Sequence, residues 1–188
     1  MNTAPFILSN MLINFALMFL FLRFMTQFAQ IDITNPFAKI THRLTKIVDV
    51  FSHIFPTVSK GRINTSALVL MFILYLVNVM VNAVILGKHI TPLELFFVSS
   101  LSGVIKFLSL LRYTLLASVV CSWIVMFTQT GNGLVSLVMQ LAEPIIAPFR
   151  RIVPNVGMID LSFLVALFSL MLLEKFIGII GHHLWQML

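Results

Sequence analysis

Apolar residues gather along the chain in four long blocks, separated by loops that hold most of the charge. The blocks run over Ala4–Phe28, Ser66–Leu86, Phe107–Phe127 and Leu161–Ile180. Each is close to the ~20 residues that a helix needs to cross a ~30 Å hydrocarbon layer. Pro92–Lys106 is also apolar and runs straight into the third block. Two spans need about 34–40 residues and a turn, whereas Leu93–Phe127 offers 35 with no strong breaker. The pattern therefore predicts one span preceded by a helix over 92–106 that lies on the membrane or dips into it. Thr91 would cap that helix and Pro92 fill its first position. In the alternative reading, 92–106 is a fifth membrane-embedded helix.

The two long loops carry a helical period of their own. In the first, Phe37, Ile40, Leu44, Ile47, Val48, Phe51, Ile54 and Phe55 recur every three or four residues, with Lys39, Arg43 and Lys46 on other sides. This predicts an amphipathic interfacial helix over 35–55, opened by Asn35 as cap and Pro36 in the first turn. In the second, Leu134, Leu137, Val138, Leu141, Ile145 and Phe149 keep a similar spacing. Pro144 and Pro148 fall inside it and predict a broken interfacial segment over 134–154. The loops align with an offset of 97 from Asn35 to Asn132 and 98 from Pro56 to Pro154, and a span follows each. The chain thus reads as an all-α membrane protein of two tandem repeats of span, interfacial helix and span. Residues 1–90 form the first copy, 91–106 a membrane-associated connector and 107–188 the second. With four spans the copies point the same way; a fifth would invert them.

Composition sharpens this picture. Sixty per cent of the 188 residues are apolar, ten per cent are charged, and the mean hydropathy is +1.05. A soluble domain of this size has too little interior to hide so much apolar surface. The net charge is +6, but the twelve Lys and Arg sit between the apolar blocks, with no basic stripe interleaved by aromatics. That placement fits orientation signals and anionic-lipid contacts and argues against nucleic acid. Lys39, Arg43, Lys46, Lys60 and Arg62 lie in the first long loop and Arg150 and Arg151 in the second, against Lys88 alone in the short 87–91 turn. Both repeat loops are therefore expected on the cytoplasmic face, with the termini outside. The first block lacks a basic lead-in and outruns the roughly 7–15-residue core of a signal peptide, so it is expected to persist as a span. The single cysteine, Cys121, allows no disulfide within one chain and reads as a buried thiol.

Candidate chemistry is sparse. Asn10 and Asn14 in the first span, and Asn78 and Asn82 in the second, are i,i+4 pairs that predict an interhelical amide cluster. Arg112 and Glu174 lie at matching depth, roughly 21–23 Å from the inner face, and predict an ion pair with Lys106 or Lys175 as substitute cations. In EPIIAPFRRIVPNVGMIDLS (143–162), carbonyls freed by the prolines must lie near water or against protein. Arg150 and Arg151 are expected among phosphates. Asp160 is expected to cap the last span through the amides of Ser162 or Phe163, or to pair with Arg150 or Arg151. His182 and His183 are adjacent and point in different directions, and His42 and His53 fall among solvated polar positions. There is no Gly-rich phosphate loop, CxxC, HExxH or G-x-S-x-G. No enzyme activity, metal or cofactor is expected. Glu174 is the sole acid deep in a span, so a cation route would need several copies.

Together these residues resemble the YggT (YlmG-like) family of small bacterial and plastid membrane proteins, over nearly the whole chain. The second copy carries Ser122-Trp123, Glu143-Pro144, Pro148, Arg150-Arg151, Pro154, Gly157, Asp160 and Ser162. The first carries Arg23, Asn35-Pro36 and Pro56, but has no Pro-x-x-x-Pro or paired arginines, and has Arg62 where Asp160 would align. The resemblance implies a bacterial inner-membrane protein. It also implies links to osmotic or ionic homeostasis, to cell division or shape, and in plastids to cytochrome assembly and nucleoid distribution, with no shared reaction. The expectation is a non-enzymatic scaffold or assembly and homeostasis factor. Its cytoplasmic interfacial collar would bind anionic lipid head groups and a protein partner or a further copy of the chain. The alternative is an oligomeric ion or osmolyte transport component linked to osmotic stress.

Overall fold

A computed structural model of the chain describes residues 3–32, 34–59, 61–129, 131–153 and 161–187. The described residues form helices α1 (Thr3–Phe28), α2 (Pro36–Leu44), α3 (Ile47–Phe51), α4 (Thr65–Ile85), α5 (Pro92–Thr128), α6 (Gly133–Arg150) and α7 (Leu161–Met187). Helices α1, α4, α5 and α7 are long and apolar enough to cross a membrane. They pack α1 on α4, α4 on α5 and α5 on α7, while α6 lies against α5 and α7 and α2 against α1 and α6. Large apolar side chains such as Leu12, Val84, Phe168 and Leu172 cover the outside. In hydrocarbon that surface needs no further cover.

Helix starts follow local chemistry. The Asn64 side chain accepts from the Ala67 amide at 2.9 Å, and Asn132 accepts from Val135 at 3.0 Å. At α5, Thr91 and Glu94 cap each other's amides reciprocally, at 3.2 and 2.7 Å, ahead of Pro92 in the first turn.

The expected separate helix over 92–106 is not what forms: α5 runs unbroken for 37 residues. Its interior holds no proline, and Gly103 is covered by the Tyr75 ring, which a Cβ there would meet at 3.2 Å. Interrupting the ladder in lipid would strand backbone groups. Helix α5 is the spine of the bundle. Phe107 sets its edge on Phe21 and Phe24 at 5.7 and 5.5 Å, Phe97 stacks on Trp185 at 6.0 Å, and Leu101 fills the space over Gly181. Because the helix extends so far, Arg112 stands near its middle, as Glu174 does in α7.

The single interfacial helix expected over 35–55 forms as two short ones, α2 and α3. Thr41 and Thr45 hydroxyls bond back to the carbonyls of Phe37 and Thr41 at 3.0 and 2.7 Å, which competes with a straight helix and marks the bend. Of the eight residues on the predicted apolar face, Val48 alone is buried. The bundle is contacted instead by the small and hydroxyl face Ala38, Thr41 and Thr45, so Ile40, Leu44 and Ile47 point outward.

The expected break at the prolines is likewise absent, and α6 passes through Pro144 and Pro148 to Arg150. The prolines lie one turn apart on one side, with Gln140 and Pro148 exposed and Pro144 half-buried. The opposite side buries Leu137, Leu141, Ala142, Ile145 and Ile146. That packing outweighs the ~3 kcal/mol or more that an interior proline costs. Where α2 and α6 begin, the Asn35 side-chain amide donates to the Gly133 carbonyl at 3.0 Å, so both loops lie at the same end of the bundle.

A Cβ at Gly181 would fall 2.2 Å from Leu101 Cδ2 and 2.9 Å from its Cγ. Gly181→Leu is expected to wedge α7 off α5 and cost about 1–3 kcal/mol. Thermal unfolding in detergent should register this as a drop of several degrees, with Gly178→Leu, where a Cβ meets nothing within 4 Å, close to wild type.

Candidate functional site

At the collar end, Ser118 and Ser122 of α5, Glu143, Ile146 and Arg150 of α6 and Phe163 of α7 line a pocket of about 190 Å³. Three of these, Ser122, Glu143 and Arg150, were singled out in the sequence motif. Two helical turns separate Glu143 from Arg150, which brings their side chains onto one face. They pair at 2.6 Å, with the prolines between them. Both are about half exposed, so the pair contributes at most about 1 kcal/mol and matters for position more than for stability. Arg151 caps the end of α6, Trp123 projects outward near the end of α5, and Ser162 is fully buried at the start of α7. Lys60, Pro154, Gly157 and Asp160, with the expected Asp160 cap and its pairing to either arginine, lie outside the described residues.

Arg23 of α1 meets the first collar helices. Its guanidinium donates to Asp49 of α3 and to Nδ1 of His42 in α2. Arg23 is 7 % exposed, so losing Asp49 would leave a buried charge unpaired. This corrects the expectation that His42 is merely solvated, and it adds Asp49 as a residue the sequence reading passed over. His53 does remain exposed. Accepting from Arg23 requires a neutral His42 ring with its proton on Nε2. Burial lowers the His42 pKa, the Arg23 charge lowers it further, and Asp49 opposes both. Pro56 helps fix the same corner, since its carbonyl accepts from the Thr65 hydroxyl at 2.7 Å. Arg62 donates to Gln30 at 3.2 Å.

Two polar contacts tie spans together inside the bundle. Asn10 of α1 meets Asn82 at 2.8 Å and Asn78 at 3.1 Å, and Asn82 also donates to Asn78 at 3.1 Å. Asn14 is exposed and stands outside this cluster, a correction to the four-residue expectation. Arg112 Nη2 lies 3.5 Å from Glu174 Oε2, and the Ser109 hydroxyl donates to Glu174 Oε1. Arg112 also lies over the Tyr113 ring, 5.3 Å from its centre. Arg112 itself is the partner, and neither Lys106 nor Lys175 substitutes for it. His182 and His183 have ring centres 6.4 Å apart. Among the described residues, no group of three or more His, Cys, Asp or Glu is placed to hold a metal ion.

The sequence profile of the CCB3/YggT family matches residues 1–85 and 98–180. The chain belongs to this family. It is 34% identical over 186 residues to a protein of Haemophilus influenzae named only as uncharacterized, covering 98% of this chain and 96% of that one. It is 31% identical over 164 residues to the uncharacterized protein YggT of Escherichia coli K12, covering 86% and 82%. A Vibrio alginolyticus relative, named for its place in the proC 3' region, is 29% identical over 188 residues and covers 98% of each chain. No solved structure matches the chain. The names of these relatives state no reaction.

Two expected outcomes follow from these contacts. Asn10→Ala and Asn82→Ala should each cost about 0.6–1.7 kcal/mol, seen as lower melting temperatures in detergent, while Asn14→Ala should leave melting unchanged. The lowered His42 pKa means that the unfolded chain takes up a proton more readily than the native one. Its stabilisation is therefore complete above about pH 6.5 and is lost as pH falls through the native value. Melting temperature should decline as pH falls below about 6.5, and His42→Gln should flatten that decline.

Proposed function

We propose that the protein is a non-enzymatic scaffold or assembly factor of the bacterial inner membrane, acting through an interfacial collar. The collar consists of α2, α3 and α6, and in this reading it faces the cytoplasm. The observation that carries the proposal is the outward turn of α2 and α3. Ile40, Leu44, Ile47 and Val50 are exposed beside the exposed cations Lys39, Arg43 and Lys46. An apolar ridge flanked by cations suits the boundary between acyl chains and anionic head groups. The second collar element offers the half-exposed Glu143–Arg150 pair and Arg151, which with the exposed Trp123 of α5 form a set suited to a protein partner.

A tandem duplication is part of this reading. The family profile covers two stretches of similar length, each with one Asn-capped collar helix. In each half a polar contact ties the two spans together, through Asn10 to Asn78 and Asn82 in one and through Arg112 to Glu174 in the other. Orientation follows the Lys and Arg excess of the two long loops.

In nanodiscs, anionic lipid should raise the melting temperature over zwitterionic lipid. The Lys39→Gln/Arg43→Gln/Lys46→Gln variant should lose most of that gain, at about 1 kcal/mol per cation. Arg150→Ala/Arg151→Ala should fold normally yet lose cross-linked membrane partners. Ion flux in liposomes that Glu174→Ala abolishes would overturn the scaffold reading in favour of transport.

A further inference from the structure

Away from the collar, α5 and α7 leave a groove of about 530 Å³ lined by Ile105, Ser109, Glu174, Lys175, His182 and His183. Its position is unusual for such residues. Both helices are long and apolar enough to cross a membrane, and Glu174 and Lys175 lie midway along α7. At ~1.5 Å per residue that is about 20 Å from either helix end. Glu174 is neutralised by Arg112 and held by Ser109. Lys175 is exposed, and so is Lys106 on α5. Among the described residues neither has a carboxylate within salt-bridge distance. An ammonium group at mid-membrane does not face acyl chains; it faces protein or a water-filled cavity.

A second copy packed by two-fold symmetry would bring the same cationic face against itself, which repels unless water or an anion intervenes. The groove stays open along its length, since a Cβ on Gly178 would meet nothing within 4 Å. Toward the end of α7 it is lined by His182 and His183, the former bonded to Gln186 at 3.1 Å. Its deep end meets the Ser109–Glu174–Arg112 cluster, and fully buried Leu115 lies one turn beyond Arg112. Fixed charge there is uneven: Arg112 and Lys175 stand against the carboxylate of Glu174. Excess fixed positive charge in a low-dielectric cleft concentrates mobile anions.

We infer that this groove is a dead-ended, water-filled vestibule that holds a small hydrated anion and opens on the side where α7 ends. The inference is independent of the collar reading, because it uses no collar residue. It is tested by cysteine accessibility in sided proteoliposomes of the full chain, built on Cys121→Ser. Ser109→Cys and Gly178→Cys line the vestibule, His183→Cys marks its mouth, and Leu172→Cys is an exposed, outward control. The probes are the anionic sulfonatoethyl and the cationic trimethylammonioethyl methanethiosulfonates, with rates normalised to those of a free thiol.

Ser109→Cys and Gly178→Cys should react from the α7 side alone. The anionic reagent should be faster by about tenfold, the scale on which a charged cleft enriches counter-ions. Lys175→Gln should bring that ratio towards one, and Leu172→Cys should stay unreactive. Unreactive Ser109→Cys and Gly178→Cys beside a reactive His183→Cys would overturn the vestibule. Equal or faster reaction with the cationic reagent would overturn the anion assignment.

Discussion

A chain surrounded by hydrocarbon has no water to satisfy a stray charge or backbone group, and this constraint organises the molecule. Only six acids are present, and among the described residues three of them neutralise an arginine: Asp49 with Arg23, Glu174 with Arg112 and Glu143 with Arg150. Each pair joins structure that would otherwise part. The first holds the collar on α1, the second fastens α7 to α5, and the third spans the proline turns of α6. Two other acids serve the backbone, Glu94 in the capping box of α5 and Asp32 accepting from the Thr34 amide. The Asn10 cluster applies the same logic without charge, with amides of two helices satisfying one another.

The four spans were legible because a block of about twenty apolar residues has few other uses. The interhelical partners of Asn10 and Glu174 were legible too, since a polar group in such a block must find one. What the residues did not reveal was which way packing would overrule local preference. Proline disfavours a helix interior by a local effect, yet the buried side of α6 was strong enough to keep it whole. Spacing showed that Ile40, Leu44 and Ile47 share a face, but a period does not say whether that face meets protein or lipid. Here the bundle took the small side, Ala38, Thr41 and Thr45. The pairing of Arg23 with Asp49 escaped notice because 26 positions separate them. The one signal was that an arginine ending a span needs an acid, and the loop that follows offers just Asp32 and Asp49.

Helix α5 gives the molecule its continuity. It touches α1, α4, α6 and α7, and so belongs to neither half alone. Its first half carries aromatic positions that pack on α4 and α7, while its second half supplies Ser118 and Ser122 to the collar pocket. A rigid rod shared by both ends means that the vestibule between α5 and α7 and the pocket beneath α6 are built on one framework. Their separation is fixed by helix length.

The hydrogen bond from Asn35 to Gly133 has a lopsided composition. Its acceptor is a main-chain carbonyl, which no substitution at position 133 deletes, so the genetic vulnerability rests on one codon. That same asparagine also seals the start of α2 by accepting from the Phe37 amide. Loss of that side chain would unfasten the two collar helices and fray one of them at once, whereas drift at the glycine leaves the acceptor in place.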